Sequence, residues 1–168
     1  MDPALAALGP ALIDNVYHVG HLVPDLLAAM AAYEQDLGVT WATPFEMPSG
    51  FRLADGTPDS QPTRIALSQQ GPLHLELIEV SPVAGSIFSE PATGGVHHYG
   101  YYAADWRGEI ERLVGRGWEL ERTNNGMAFV RDPRTGMRLE VVSFKGRPFL
   151  DRILSGELGR EFPLSERG

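Results

Sequence analysis

At 168 residues and 43% hydrophobic, the chain is long enough to bury one domain-sized core, or two small modules sharing a sheet, and its composition excludes a disordered segment. A net charge of −8 and an isoelectric point near 5.0 exclude the basic face that nucleic acid or an anionic membrane would need. The absence of cysteine excludes disulfides, thiolate metal sites, thiol nucleophiles and cysteine-bound clusters. Residues 1–15 carry Asp2 and no basic stretch, and no apolar run approaches the roughly 20 residues that span a bilayer. The expectation is a soluble, cytoplasmic protein with no nucleic-acid or membrane partner.

In chain order, residues 1–14 read as a loosely helical lead-in interrupted by Gly9-Pro10. Residues 16–23 are rich in β-formers and end at Pro24, which predicts a strand. Asp25 is placed to cap a helix in which Leu26, Leu27, Met30, Tyr33 and Leu37 recur at three- and four-residue spacing, with Gly38 after its end. Residues 40–62, dense in Pro, Gly, Ser and Asp, form either a pair of short edge strands or a long loop. Residues 63–68 and 73–80 predict two strands joined by the turn 69–72, and residues 81–95 connect to a second set of elements. There, 97–104 predicts a strand and 106–116 a helix with Ile110, Leu113 and Val114 on one face, ended by Gly117; 128–131 and 137–144 predict a hairpin across 132–136. In the tail, 146–168, Phe149, Leu150, Ile153, Leu154 and Leu158 make an apolar helical stripe. It fits a helix capping the domain or exchanging with a second subunit; a lid over a cavity is the sharper alternative.

The two halves repeat each other. Val16-Tyr17-His18-Val19-Gly20 returns 80 positions later as Val96-His97-His98-Tyr99-Gly100, Asp25 is matched by Asp105, and Leu75-Glu76-Leu77 by Leu139-Glu140-Val141. The modules run over 15–81 and 95–145, the first being longer mainly in 40–62, where insertion costs little. Strand alternation puts His18 on one face with Gly20, His98 with Gly100 and Tyr102, Glu76 with His74 and Ile78, and Glu140 with Arg138 and Val142. A glycine two residues after each histidine keeps that face open. A carboxylate between aliphatics needs a partner once buried, and a metal supplies one. His18, Glu76, His98 and Glu140 are therefore the candidate ligands of one divalent ion, with Zn, Ni, Co, Mn or Fe all suited to the set. His21, His74 and His97 read as packed or surface histidines, and Glu79 is the rival to Glu76, since a one-residue bulge would exchange the two faces.

With His18-Val19-Gly20, Leu75-Glu76-Leu77, Gly94-Gly95-Val96-His97-His98 and Leu139-Glu140-Val141, and with Asp132-Pro133 and Gly136 before the last strand, the chain resembles the vicinal oxygen chelate superfamily. Within it the likeness is to the glyoxalase I and methylmalonyl-CoA epimerase branch. The resemblance implies an α+β fold: one domain, 1–168, of two tandem βαβββ modules forming a curled mixed sheet (glyoxalase/bleomycin resistance/dihydroxybiphenyl dioxygenase-like), with a C-terminal helical tail. It places the metal ligands on His18, Glu76, His98 and Glu140, preferring His98 to His97. It further implies an isomerase, epimerase or lyase that moves a proton beside a metal-bound carbonyl or enolate of a small oxygenated carbonyl compound or acyl thioester. Glu140 is the first candidate base and Glu76 the second; Tyr102 is a donor to substrate or a cavity-wall aromatic. A homodimer is the expected assembly. Two departures stand out: residues 61–75 contain no Asp or Glu where some epimerases carry a second acid/base, and only Arg52, Arg64 and Arg122 offer single cations for coenzyme A phosphates. The alternatives are an Fe(II) extradiol-type dioxygenase, against which the fourth donor counts, and a metal-free small-molecule binding or resistance protein, against which retention of all four positions counts.

Overall fold

A computed structural model describes residues 12–48, 50–59, 62–83, 86–89 and 95–166, so most of the expected lead-in lies outside the described residues. A short helix α1 (Leu12–Asn15) leads into β1 (Val16–Val23). The Asp25 carboxylate then accepts the Ala28 N–H at 2.9 Å and starts α2 (Leu26–Leu37), and Gly38, at φ 67°, ends it in the left-handed region that glycine occupies without strain. Leu26 is wholly buried and Met30 and Tyr33 pack beside it, but Leu27 and Leu37 stay 53% and 67% exposed. The apolar stripe is narrower than the leucine spacing predicts, because Leu27 sits about 100° around the helix from Leu26.

The remaining strands are β2 (Phe45–Met47), β3 (Phe51–Leu53), β4 (Pro58–Asp59), β5 (Thr63–Leu67), β6 (His74–Glu79), β7 (His98–Ala103), β8 (Glu119–Thr123), β9 (Met127–Arg131) and β10 (Arg138–Ser143). Helix α3 (Trp106–Val114) follows β7, and a 3₁₀ turn (Phe144–Gly146), α4 (Arg147–Leu154) and α5 (Glu157–Glu161) follow β10. All ten strands form one mixed sheet in the order β2-β5-β6-β1-β7-β10-β9-β8-β3-β4. Its centre is the antiparallel pair β1–β7; outward of each lies a parallel neighbour, β6 beside β1 and β10 beside β7. Helix α2 covers the odd-numbered face of β6 at Leu77, and α3 the matching face at Tyr101, Leu139 and Val141. The fold is thus α+β, a curled mixed sheet with α2 and α3 outside and the even-numbered residues of β1, β6, β7 and β10 turned inward. Val114, grouped by spacing with Ile110 and Leu113, is 44% exposed, and α3 stops short of Gly117, which takes φ 90° in the turn beyond it.

Residues 40–62 are neither a simple pair of edge strands nor a loop. β2 adds to one edge of the sheet, while the β3–β4 hairpin adds to the opposite edge beside β8. Only three residues separate Met47 from Phe51, and three separate Asp59 from Thr63, so chain length alone holds the two rims within about 14 Å of each other. The sheet therefore curls almost to closure. β8, which the sequence pattern did not single out, is the strand that receives this hairpin. The tail packs against β2 and β5: Ile153 and Leu158 bury with Ala42, Phe45 and Leu67, and the Phe162 carbonyl accepts the Glu46 N–H at 2.9 Å.

The β1–β7 register explains the repeated glycines. His18 lies opposite Gly100, and Gly20 opposite His98. A Cβ built on either glycine would overlap the imidazole across from it, so each half leaves room for the other half's histidine. Gly20→Ala and Gly100→Ala should each lose about 1–3 kcal/mol of stability in urea titrations, the scale of overpacking. Adding His98→Ala to Gly20→Ala should recover most of the loss, with a coupling above about 0.5 kcal/mol. A cycle with no coupling would remove the reciprocal packing.

Candidate metal centre

The same register assembles the four repeated donors. Gly20 is flanked by His98 on β7 and Glu76 on β6, and Gly100 by His18 on β1 and Glu140 on β10. The short contacts follow these rows: His98 Nε2 lies 3.1 Å from Glu76 Oε2, and His18 Nε2 lies 2.9 Å from Glu140 Oε2. The diagonals are longer, 3.5 Å from His18 to Glu76 and 3.6 Å from His98 to Glu140, and the two Nε2 atoms stand 2.9 Å apart. Atoms about 2.0–2.2 Å from a common ion, at right or tetrahedral angles, stand roughly 2.8–3.6 Å apart. His18, Glu76 and His98 fit a divalent cation by distance, and Glu140 reaches both imidazoles from the other side. The set also fits by chemistry, because two buried imidazoles set against a carboxylate are donor types that such an ion takes.

Electrostatics point the same way. Burial alone would discharge His98, yet its hydrogen bonds to Glu140 and Glu76 push its imidazole up to about 9. Burial would likewise raise Glu140, but hydrogen bonds from His18 and His98 hold its carboxyl well below the usual range. The pocket floor favours positive charge between the two carboxylates.

His97 does not join the donors. It precedes β7, so strand alternation does not govern it, and its ring turns back to put Nδ1 at 3.0 Å from His98 Nδ1. Its Nε2 lies 2.9 Å from the Ile87 carbonyl and 2.6 Å from Arg138 Nη1, and Glu121 accepts from Arg138 Nε at 2.6 Å and Nη2 at 3.0 Å. Burial, then the charges of His98 and Arg138, lower His97 to about 3 and keep it neutral. This Glu121–Arg138–His97 chain behind His98 was not evident from the sequence; the only hint was that Arg138 shares a face with Glu140.

The other candidates separate cleanly. Glu79, the rival carboxylate, faces the helices: its Oε2 accepts the Leu26 N–H at 2.8 Å and Arg64 approaches at 3.4 Å. His74 bonds the Ser68 carbonyl at 2.8 Å, outside the cluster. Arg122 is buried over Phe51 and beside Phe88, with Asp59 at 3.0 Å, and Arg52 donates to the Gly56 carbonyl. Tyr102 lines the cavity and stacks on Tyr17, ring centroids 4.2 Å apart. A bulge between Val16 and His18 brings Tyr17 into the cavity wall, which alternation hides. Burial pushes Tyr102 up to about 12 against the opposing charge of Arg147, and raises Tyr17 further with help from Glu140, so both phenols stay protonated.

Above the donors lies a cavity of about 400 Å³. Phe51, Ile65, Ile78 and Phe129 from the sheet and Phe149, Leu150 and Ile153 from the tail line it. The tail is thus a wall of the site.

The family model for the Glyoxalase/Bleomycin resistance protein/Dioxygenase superfamily matches residues 17–140. An ethylmalonyl-CoA/methylmalonyl-CoA epimerase of Cereibacter sphaeroides is 36% identical over 107 residues, covering 63% of this chain and 73% of the relative. Two solved structures share the fold: methylmalonyl-CoA epimerase from Mycobacterium tuberculosis (TM-score 0.55, 19% identity, 83% of this chain and 94% of that one), and a Streptomyces coelicolor methylmalonyl-CoA epimerase variant in complex with 2-nitronate-propionyl-CoA (TM-score 0.54, 19% identity, 77% and 96%). With the reciprocal histidines, the flanking carboxylates and the curled sheet in place, the chain belongs to the Glyoxalase/Bleomycin resistance protein/Dioxygenase superfamily.

Proposed function

We propose that the protein is a metal-dependent enzyme that moves a proton on the carbon next to a carbonyl, as an isomerase, epimerase or lyase. The observation that carries this reading is the convergence of two imidazoles and two carboxylates, each carboxylate 2.9–3.6 Å from both imidazoles, at the floor of an apolar cavity. The epimerase name of the 36%-identical relative supports the same class and makes an acyl thioester a candidate substrate. His18, Glu76, His98 and Glu140 would hold the ion, which supplies Lewis acidity that stabilises negative charge developing on a substrate oxygen. His97 fixes the His98 ring from behind. Glu140 and Glu76 approach the histidine pair from opposite sides of the β1–β7 centre, and a carboxylate there is placed to take or return a proton, with Glu140 the first candidate. Tyr102 keeps its proton and is placed to donate to a substrate oxygen.

A second acid/base has no evident place on β5. Its cavity face is Thr63, Ile65 and Leu67, so proton transfer is assigned to the metal-centre side of the cavity. The fourth protein donor speaks against oxygen chemistry, which wants an open position. Among the described residues no helix is long and apolar enough to cross a membrane.

Elemental analysis of protein purified without chelators should find one divalent ion per chain; no metal would favour a binding protein, and iron with catechol turnover a dioxygenase. Glu140→Gln should slow exchange of a substrate's α-proton with solvent deuterium by about 10²–10⁴-fold, the usual contribution of a general base. His97→Phe keeps all four donors but removes the contact to His98 Nδ1. It should weaken metal binding about 10–100-fold in chelator competition, with little change in α-helical circular dichroism.

A further inference from the structure

We infer that the cavity takes a carbonyl compound that is neutral at its reacting end and carries an apolar body; this rests on the proton-transfer reading above. Three observations support it. The first is the lining: Phe51, Ile65, Ile78, Phe129, Phe149 and Leu150 surround about 400 Å³, and the polar atoms come from the metal donors, Tyr17, Tyr102, Thr63 and Asn124. The second is where the cations are. Among the described lining residues none is Lys or Arg. Arg64 pairs with Glu79 and Glu46, Arg122 with Asp59, and Arg138 with Glu121, while Arg147 lies over the Tyr102 and Phe144 rings on an exposed stretch. The third is charge balance. Glu76 and Glu140 would cancel the two charges of a divalent ion, so a substrate carboxylate would bring a net negative charge into an apolar chamber with no cation among its described lining residues.

An alkylmalonyl group, such as the relative's name describes, carries that carboxylate beside its acidic carbon. Here the second activating group is instead an ester, ketone or other neutral oxygen function, and the substituent on the acidic carbon is a branched alkyl or aryl group that fills the apolar walls.

The test uses full-length protein reconstituted with one divalent metal and a matched pair of probes, methylmalonyl-pantetheine thioester and its methyl ester, which differ in charge at the reacting end. Proton NMR in deuterium oxide gives α-exchange rates, each divided by its own buffer rate, and calorimetry gives binding. The neutral ester should exchange and bind at least tenfold better than the carboxylate, and a 2-benzyl ester better still. Equal or preferred exchange of the carboxylate form would overturn the neutral-substrate inference while leaving proton transfer intact. Tighter binding of the ester without exchange of either form would overturn proton transfer and uphold the cavity's preference. Binding of neither form would overturn the inference.

Discussion

The structure turns on one crossing: each imidazole of the β1–β7 pair lies over the glycine of the opposite strand. His18 needs Gly100 and His98 needs Gly20. This mutual accommodation brings the two Nε2 atoms to 2.9 Å, and the parallel neighbours β6 and β10 then deliver a carboxylate to each side. A duplicated strand–helix unit would form a sheet with many residues at these positions. It converges four donors on one point only when the side-chain volume at both glycines is zero.

Placing two carboxylates and two imidazoles together under an apolar roof is costly unless a cation sits among them, and the surrounding chain is arranged to keep other charges away. Glu79 is turned to the helix side, where it caps the N-terminus of α2. Arg122 is absorbed by Asp59 and the aromatic rings around it. Arg138 is held by Glu121 and meets the centre only through the neutral ring of His97.

The walls come from parts of the chain remote from the donors. The hairpin carrying Phe51 bridges the rims of the sheet, and the tail supplies Phe149, Leu150 and Ile153. A shared fold leaves the chemistry to the side chains set on it. In this chain they make the chamber apolar.

Read alone, the sequence predicted the opening strand and helix of each half, the caps at Asp25 and Gly38, and the four side chains that the register gathers, because period-two alternation and a repeat are properties of short stretches. What lay beyond it depended on pairing. β8 has four polar residues in five, Glu119, Glu121, Arg122 and Thr123, so it carries no apolar alternation; ion pairs to Arg138 and Asp59 cover it instead. His97 sits one residue before its strand begins and Tyr17 beside a bulge, so alternation could not aim either ring. Leu27 and Val114 fit a helical spacing but face solvent, because only the folded sheet defines which stripe is covered, and Leu37 is exposed as the last residue of its helix. The sequence named four candidate side chains, and the tertiary structure decided that a glycine from one half makes room for the histidine of the other, since register between strands 80 residues apart is set by nothing local.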